Sequence, residues 1–181
     1  MAHSLNIIQT DNFQFLSLKK WTLFQLIALA FWTTFKLTDT HDAMYLIHLR
    51  SEQAVFSHET ALFLHNMTDR EPNLYSVTVK SGYNPHRLKE DGIKVYTIKA
   101  EIHEMGLSQA ETPFGHLVPV YDKERTLCDI LRNRRKVDKQ ILLDALKSYS
   151  KRQDKDLRRL MNYAETFKVK NVLKPYLEVL L

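Results

Sequence analysis

The sequence feature that most constrains the fold is the stretch HLVPVYDKERTLCDILRNRRK, residues 116–136. Its first part, LVPV at 117–120, is a short apolar run of β-forming residues that predicts a strand, and Pro119 favours an edge or terminal position in the sheet. Asp122 then predicts a helix N-cap, because its carboxylate can accept a hydrogen bond from the free amides of the first turn. The stretch therefore predicts a strand that leads directly into a helix.

The predicted helix has one apolar face and a basic end. Leu127, Ile130 and Leu131 recur at helical spacing and define the apolar face. A run of cations follows at the negative end of the helix dipole, where positive charge is favoured: Arg132, Arg134, Arg135 and Lys136. The patterns before this stretch indicate strands, loops and short helices, and those after it indicate helices alone.

The segments before residue 116 alternate between short strands and short helices. We expect a helix over 41–50, a strand over 54–56, a helix from the Ser57 cap to about Met67, and strands over 74–79 and 93–98. A turn at 112–115 precedes the strand–helix stretch. In the first of these helices, the side chains expected to be buried are Ala43, Tyr45, Leu46 and Leu49.

Three helical patterns follow Lys136, with Asp154 as the expected cap of the second and the third kinked or started near Pro175. Short connections between helices imply antiparallel neighbours in a bundle. The expected fold class is therefore α+β: a small mixed β-sheet with flanking short helices, followed by a C-terminal bundle of about four helices.

The charge of the chain is concentrated in its second half. Residues 122–181 carry 16 Lys and Arg against 9 Asp and Glu, a net charge of +7, whereas residues 1–121 carry −2. A basic helical half indicates an acidic partner, nucleic acid or an acidic protein face, although helical bundles also carry solvated cations.

The single cysteine, Cys128, excludes an internal disulfide and is typical of a reducing cytoplasm. Because it lies beside the apolar face of its helix, it is expected to be a buried, inert thiol.

Residues 1–40 differ in character from the rest of the chain. The segment 21–35 is apolar on every face, with Lys19 and Lys20 before it and Lys36 after it. Such a helix belongs in a large core or in a membrane, but this run is shorter than the roughly 20 residues that a spanning helix needs. We favour a buried or oligomer-forming helix over an exported or membrane-tethered protein.

Patterns of catalytic or metal-binding residues are weak. In SHETALFLH, His58 and His65 stand seven positions apart instead of the four that the zinc-protease motif requires, so His58 is expected to be a surface or capping residue. Asp91, Glu101 and Lys99 do not follow the Glu-x-Lys order of a metal-dependent nuclease. The sequence also has no Gly-rich phosphate loop and no GxSxG elbow. We therefore expect no enzymatic activity, no catalytic residue, no cofactor and no bound metal.

Exposed cations of the helical half are the candidates for binding a polyanion. Those predicted to contact nucleic acid are Arg132, Arg134, Arg135, Lys136, Lys139, Arg158 and Arg159.

Four runs of the sequence resemble the AbiEi family: AVFSHETALFLHNMTDREP (54–72), VTVKSGYNPHRLK (77–89), VYDKERTLCDILRNRRKVDKQILLDALKSY (120–149) and LMNYAETFKVKNVLKPYLEVL (160–180). This family comprises antitoxins of bacterial type IV toxin–antitoxin systems, which act in abortive phage infection. The resemblance covers about residues 41–181 and implies an AbiEi-like C-terminal antitoxin domain there. It also implies a functional partner, a nucleotidyltransferase-like toxin that the antitoxin opposes without a stable complex.

Family members carry an N-terminal winged helix-turn-helix that binds operator DNA and represses the operon. Residues 1–40 depart from that pattern because they hold an apolar block in place of a basic recognition helix. We interpret this segment as a remnant or replacement of the winged domain. The expected function is that of a cytoplasmic antitoxin which also contributes to autorepression. The alternatives are a DNA-binding repressor without antitoxin activity and a nucleic-acid-processing enzyme. The sequence does not define the oligomeric state.

Overall fold

The structure, a computed structural model, describes residues 42–180 of the chain. The predicted apolar segment 21–35 and the predicted domain boundary between residues 40 and 41 lie outside the described residues. The elements, in chain order, are α1 (Ala43–Arg50), β1 (Val55–Phe56), α2 (His58–Leu64), β2 (Ser76–Lys80), α3 (His86–Glu90), β3 (Lys94–Ile98), α4 (Ala100–His103), β4 (Leu107–Glu111), β5 (Leu117–Tyr121), α5 (Lys123–Arg132), α6 (Lys139–Lys151), α7 (Leu157–Thr166) and α8 (Lys170–Leu180).

The five strands form one mixed sheet in the order β3-β2-β1-β5-β4. The short strand β1 lies at its centre, antiparallel to β2 and parallel to β5 through the pair Phe56↔Val120. Strand β3 runs parallel to β2, and β4 runs antiparallel to β5. The predicted α+β class with a mixed sheet and C-terminal helices is confirmed.

The two faces of β2 show how the sheet is covered. Val77 and Val79 belong to one apolar cluster with Met44 of α1 and Leu88 of α3. Ser76 and Thr78 alternate with them and bond to the segment that begins α2, so they face the opposite side. At β2, helices α1 and α3 therefore contribute to the apolar side and the start of α2 bonds to the polar side, while Ala61 and Leu64 of α2 also belong to the apolar cluster.

A second apolar cluster lies among the C-terminal helices. Helix α5 packs against α2, α6 and α7, and α8 packs against both α6 and α7. The predicted stripe of α5 is confirmed, since Leu127, Ile130 and Leu131 are completely buried. These helices form the predicted bundle, with α5 shared between the bundle and the sheet.

The position predicted for Pro119 is wrong. Strand β5 lies inside the sheet between β1 and β4, with Pro119 at its middle residue. Strand β1 has only two residues and pairs with β5 at Val120, whereas Pro119 is paired with Gln109 of β4. Proline is tolerated here because the neighbouring strand on one side is so short.

Two local predictions in the helices also need correction, and for the last helix the alternative of a start near Pro175 is wrong. In α1 the buried side chain is Met44, while Ala43 is exposed and Leu49 is 55% exposed. Helix α7 is capped by Asp156, which accepts from the Arg159 amide at 2.8 Å, and not by Asp154. Helix α8 begins at Lys170 and carries Pro175 inside it.

Candidate functional site

Helix α5 positions the basic end of the domain. The Asp122 carboxylate accepts from the amide of Arg125 at 2.7 Å, which confirms the predicted N-cap and starts the helix directly after β5. Three turns later Arg132 ends the helix and is exposed. The residues that follow the helix, Arg134, Arg135 and Lys136, are exposed as well.

A buried ion pair anchors the middle of α5. Arg125 has no exposed surface, and its Nε donates to Asp129 at 2.9 Å while its Nη1 donates to the carbonyls of Ile102 and Met105. Its guanidinium also lies 4.2 Å and 4.3 Å from the ring centroids of Tyr121 and Phe167. Arg125 therefore joins α5 to the α4–β4 connection and to the end of α7.

The pKa of the Asp129 carboxyl lies above its usual value, because the effect of burial outweighs that of the neighbouring positive charges. Burial raises its pKa, while the positive charges of Arg125 and Arg132 act to lower the pKa. Since both members of the pair are almost fully buried, removal of either one would leave an uncompensated charge in the core.

The structure places His58 in the interior, so the prediction of a surface or capping histidine is wrong. Its ring is 3% exposed and stacks on Tyr96, with 3.5 Å between centroids. The Asn133 amide nitrogen lies 2.8 Å from Nε2, and an amide N–H can only donate; Nε2 therefore accepts, and Nδ1–H donates to the Ser57 hydroxyl at 3.0 Å. Burial lowers the pKa of His58 to about 3, with Lys94 and Arg125 acting in the same direction. At neutral pH His58 is an uncharged ring that joins α2 to β3 and to the end of α5.

His58 is also unusual in its backbone, with φ of +52°. Left-handed backbone is disfavoured for residues with a side chain and persists where surrounding contacts enforce it. Here the stack on Tyr96 and the two ring hydrogen bonds supply those contacts.

The Ser57–His58 contact has the form of a nucleophile beside a base, but its surroundings make it a packing contact. Ser57 is completely buried, and its hydroxyl accepts from Thr78 at 2.8 Å. Thr60 and Ser76 continue the same buried network. The arrangement fastens β1 and β2 to α2 and leaves no route for a substrate to the Ser57 oxygen.

The seven predicted nucleic-acid-binding residues fall into two groups. Five lie at the end of α5 and on its connection to α6, and we call them the basic turn: Arg132, Arg134, Arg135, Lys136 and Lys139, all of them exposed. Arg158 and Arg159 lie in the first turn of α7, where Arg159 pairs with Asp156 at 3.6 Å and lies 4.0 Å from Asp122. Asp122 caps the start of α5, so the two groups lie at opposite ends of a ten-residue helix about 15 Å long.

A cavity of about 480 Å³ opens beside the basic turn. Its wall contains Arg132 from α5, Lys99 from the β3–α4 connection and Lys168 from the α7–α8 connection. Sequence reasoning missed Lys99 and Lys168 as partners of Arg132. Nothing in the local sequence links these three positions, because only the packing of α5, α7 and the sheet brings them together.

The residues considered for metal binding lie apart. His65 Nε2 bonds to the Tyr121 carbonyl at 2.6 Å, and Asp91 pairs with Arg50 at 3.4 Å. Asp91 precedes β3 and Glu101 follows it, so the length of that strand, about 15 Å, separates them. Within residues 42–180, no group of three or more His, Cys, Asp or Glu side chains is arranged to hold a metal ion.

Two further features concern the character of the domain. Cys128 is completely buried, as predicted, and burial raises the pKa of its thiol. Among the helices that the structure describes, none combines the length and the apolar character needed to cross a membrane.

Comparison with known proteins adds no assignment to this geometry. The chain matches no protein-family model and none of the curated proteins.

Proposed function

We propose that the chain is an AbiEi-type antitoxin of a type IV toxin–antitoxin system, acting in the cytoplasm against a nucleotidyltransferase-like toxin. The four runs that resemble the family carry this proposal. They coincide with β1–α2, β2 and the start of α3, the unit from the end of β5 to α6, and α7–α8. Together these elements contribute the centre of the sheet and most of the C-terminal bundle.

The chemistry of the interior supports a protein that works through its surface. Of the polar groups that resemble catalytic pairs, Ser57 with His58 and Arg125 with Asp129 are buried and joined to one another in structural hydrogen bonds. The basic turn, in contrast, presents five exposed cations to solvent. On this proposal the antitoxin opposes the toxin without bond chemistry of its own and without a stable complex.

The test is growth rescue. We expect co-expression of the full chain with a cognate nucleotidyltransferase-like toxin to restore colony formation, and the Asp129→Asn variant to rescue less well because its fold is destabilised. The surface variant Lys174→Gln, which changes one exposed cation of α8, is the control and should rescue fully. A full chain that is expressed and folded but gives no rescue would contradict the antitoxin proposal.

The second candidate function is DNA binding that represses the operon, and the basic turn favours it. Arg134, Arg135 and Lys136 are consecutive and exposed, and among residues 42–180 none of them has a carboxylate within 4 Å. Exposed cations without a neighbouring carboxylate release counterions from DNA when they contact its phosphates. The affinity for DNA therefore falls steeply as the salt concentration rises.

Its test is a mobility-shift titration of operator DNA at several salt concentrations. We expect the triple variant Arg134→Gln/Arg135→Gln/Lys136→Gln to bind more weakly and to reduce the salt slope by up to about 3. The triple variant Arg87→Gln/Lys89→Gln/Lys174→Gln removes the same charge from exposed positions elsewhere and should change the slope much less. Equal effects of the two triple variants would reject a specific role of the basic turn.

A further inference from the structure

We propose that the cavity formed by Lys99, Arg132 and Lys168 binds a phosphate-bearing nucleotide. The cavity lies between the end of α5, the start of α4 and the connection from α7 to α8. This proposal does not depend on antitoxin activity, since it rests on the side chains of the cavity alone.

The charge of the cavity wall is the first argument. Its nine lining residues include three cations and no Asp or Glu. Among residues 42–180, none of these cations has a carboxylate within 4 Å. Three like charges around one concave space repel each other and raise the local concentration of anions. A phosphate group, with several acceptor oxygens, suits this set of donors.

The buried residues behind the cavity wall do not compensate the positive charge of Lys99, Arg132 and Lys168. Arg125 lies next to two lining residues, since its guanidinium is 4.3 Å from the Phe167 centroid and its Nη1 bonds to the Ile102 carbonyl. Its charge is balanced by Asp129, which is buried and bonded to it. The buried pair therefore contributes little net charge, and Asp129 is not available to pair directly with Arg132.

The size and the remaining lining indicate a ligand larger than inorganic phosphate. A volume of about 480 Å³ lies within the range of roughly 300–1,000 Å³ typical of small-molecule sites. The apolar side chains of Ile98, Ile102 and Phe167 line part of the wall, and the hydroxyl residues Ser81, Thr97 and Thr166 line another part. Cations, hydroxyls and apolar surface together match the phosphate, the sugar and the base of a nucleotide unit.

Lys168 supplies a second, independent observation. It has φ of +58° and occupies the position after the cap of α7 in a Schellman motif, with its amide bonded to Glu165 O and the amide of Val169 bonded to Ala164 O at 2.8 Å. Glycine is the usual residue at this position because a Cβ disfavours left-handed backbone. Lysine is unfavourable at this helix end, yet its side chain lines a cationic cavity. A role of the Lys168 side chain in binding the ligand would explain its presence there.

The test uses the full chain and three probes in calorimetric titrations at low salt: pyrophosphate, AMP and a short 5′-phosphorylated oligothymidylate. We expect at least one probe to bind, and the single variants Lys99→Gln and Arg132→Gln each to weaken that binding roughly tenfold. Binding of AMP would identify a free nucleotide as the ligand class, whereas binding of pyrophosphate alone would indicate a simple anion site and would overturn the nucleotide proposal. Binding of the oligonucleotide alone would identify a phosphate of a nucleic-acid strand.

The variant Lys168→Gly separates ligand binding from folding. It should raise the urea midpoint of unfolding, because glycine relieves the left-handed residue, while it weakens probe binding roughly tenfold. Asn66→Gly, which changes another left-handed residue away from this cavity, and Lys89→Gln, which removes an exposed cation of α3, should leave the binding unchanged. If no probe binds, or if the three cavity variants bind as the wild type does, the proposal is wrong. Loss of toxin rescue in a chain that still binds the probes would affect the proposed function alone.

Discussion

Arg125 is a charged side chain without contact to solvent, and the domain tolerates it because five neighbours surround one guanidinium. Asp129 supplies the countercharge, the carbonyls of Ile102 and Met105 accept from Nη1, and the ring centroids of Tyr121 and Phe167 lie 4.2 Å and 4.3 Å from the guanidinium. Such a pair contributes little to stability relative to apolar residues, but each member is costly to remove alone.

We expect Asp129→Asn to lower the free energy of unfolding by about 3–5 kcal/mol, because Arg125 then lies in the core without a countercharge. The double variant Arg125→Met/Asp129→Leu removes both charges and should recover a large part of that loss. Urea unfolding followed by circular dichroism measures both. A double variant less stable than Asp129→Asn would show that the pair stabilises the fold beyond the mutual compensation of its charges.

The buried ring of His58 makes the stability of the domain depend on pH. Its pKa is about 3 in the folded chain and about 6.5 in the unfolded chain, so above pH 6.5 the ring is neutral in both and has no effect on the pH dependence. Between these values the unfolded chain binds the proton and the folded chain does not, so stability falls as the pH falls. At pH 5 this linkage costs about 2 kcal/mol.

The variant His58→Gln should be less stable than the wild type at pH 7.5 but should lose less stability between pH 6.5 and pH 5. Thermal unfolding at a series of pH values measures this difference in slope. His65 and His103, whose pKa values burial also lowers, contribute to both curves and cancel in the comparison. The control His86→Gln changes an exposed residue of α3. Parallel pH curves for wild type and His58→Gln would contradict the assignment.

At the scale of single elements, sequence patterns predicted most of what the structure contains, because the determinants are local. The cap at Asp122 and the buried apolar stripe of α5 were predicted correctly, because each depends on residues within a few positions of one another. Predictions failed where two similar residues could fill the same role, or where an element distant in the sequence determined the burial of a residue. His58 is buried by Tyr96 and Asn133, and neither is near it in sequence.

The cap of α7 tests the choice between two similar residues. Asp156 accepts from the Arg159 amide at 2.8 Å, whereas Asp154 pairs with Lys123 and Arg152 at the surface. We expect Asp156→Ala to lower the free energy of unfolding by about 1 kcal/mol, a typical value for a lost N-cap. Asp154→Ala, the matched control, should cost less, because surface ion pairs are screened by solvent. Urea midpoints give the comparison, and a larger loss for Asp154→Ala would reverse the assignment of the cap.

At the scale of the whole domain, the order of the strands and the cavity could not be predicted from the sequence. The pair Phe56↔Val120 joins segments far apart in the chain, and Lys99, Arg132 and Lys168 meet only after the sheet and the bundle have packed. The predicted cations were correctly placed at the end of α5. The separation of these cations from Arg158 and Arg159 depends on how α7 packs against α5, and such tertiary packing could not be predicted from the sequence.

The same whole-domain geometry yields an expectation about the proposed antitoxin activity. Asp91 and Glu101, the acidic residues weighed for a metal-dependent nuclease, lie at opposite ends of β3, about 15 Å apart, and cannot share one metal ion. We therefore expect Asp91→Ala/Glu101→Ala to retain full toxin rescue in the colony assay, with the protein expressed and folded as the wild type is. Its matched comparison is Asp129→Asn, which should rescue less well because its fold is destabilised, as urea unfolding followed by circular dichroism would show. If Asp91→Ala/Glu101→Ala is folded but loses rescue, these carboxylates carry an activity that the surface mechanism does not include, and the antitoxin would act as an enzyme.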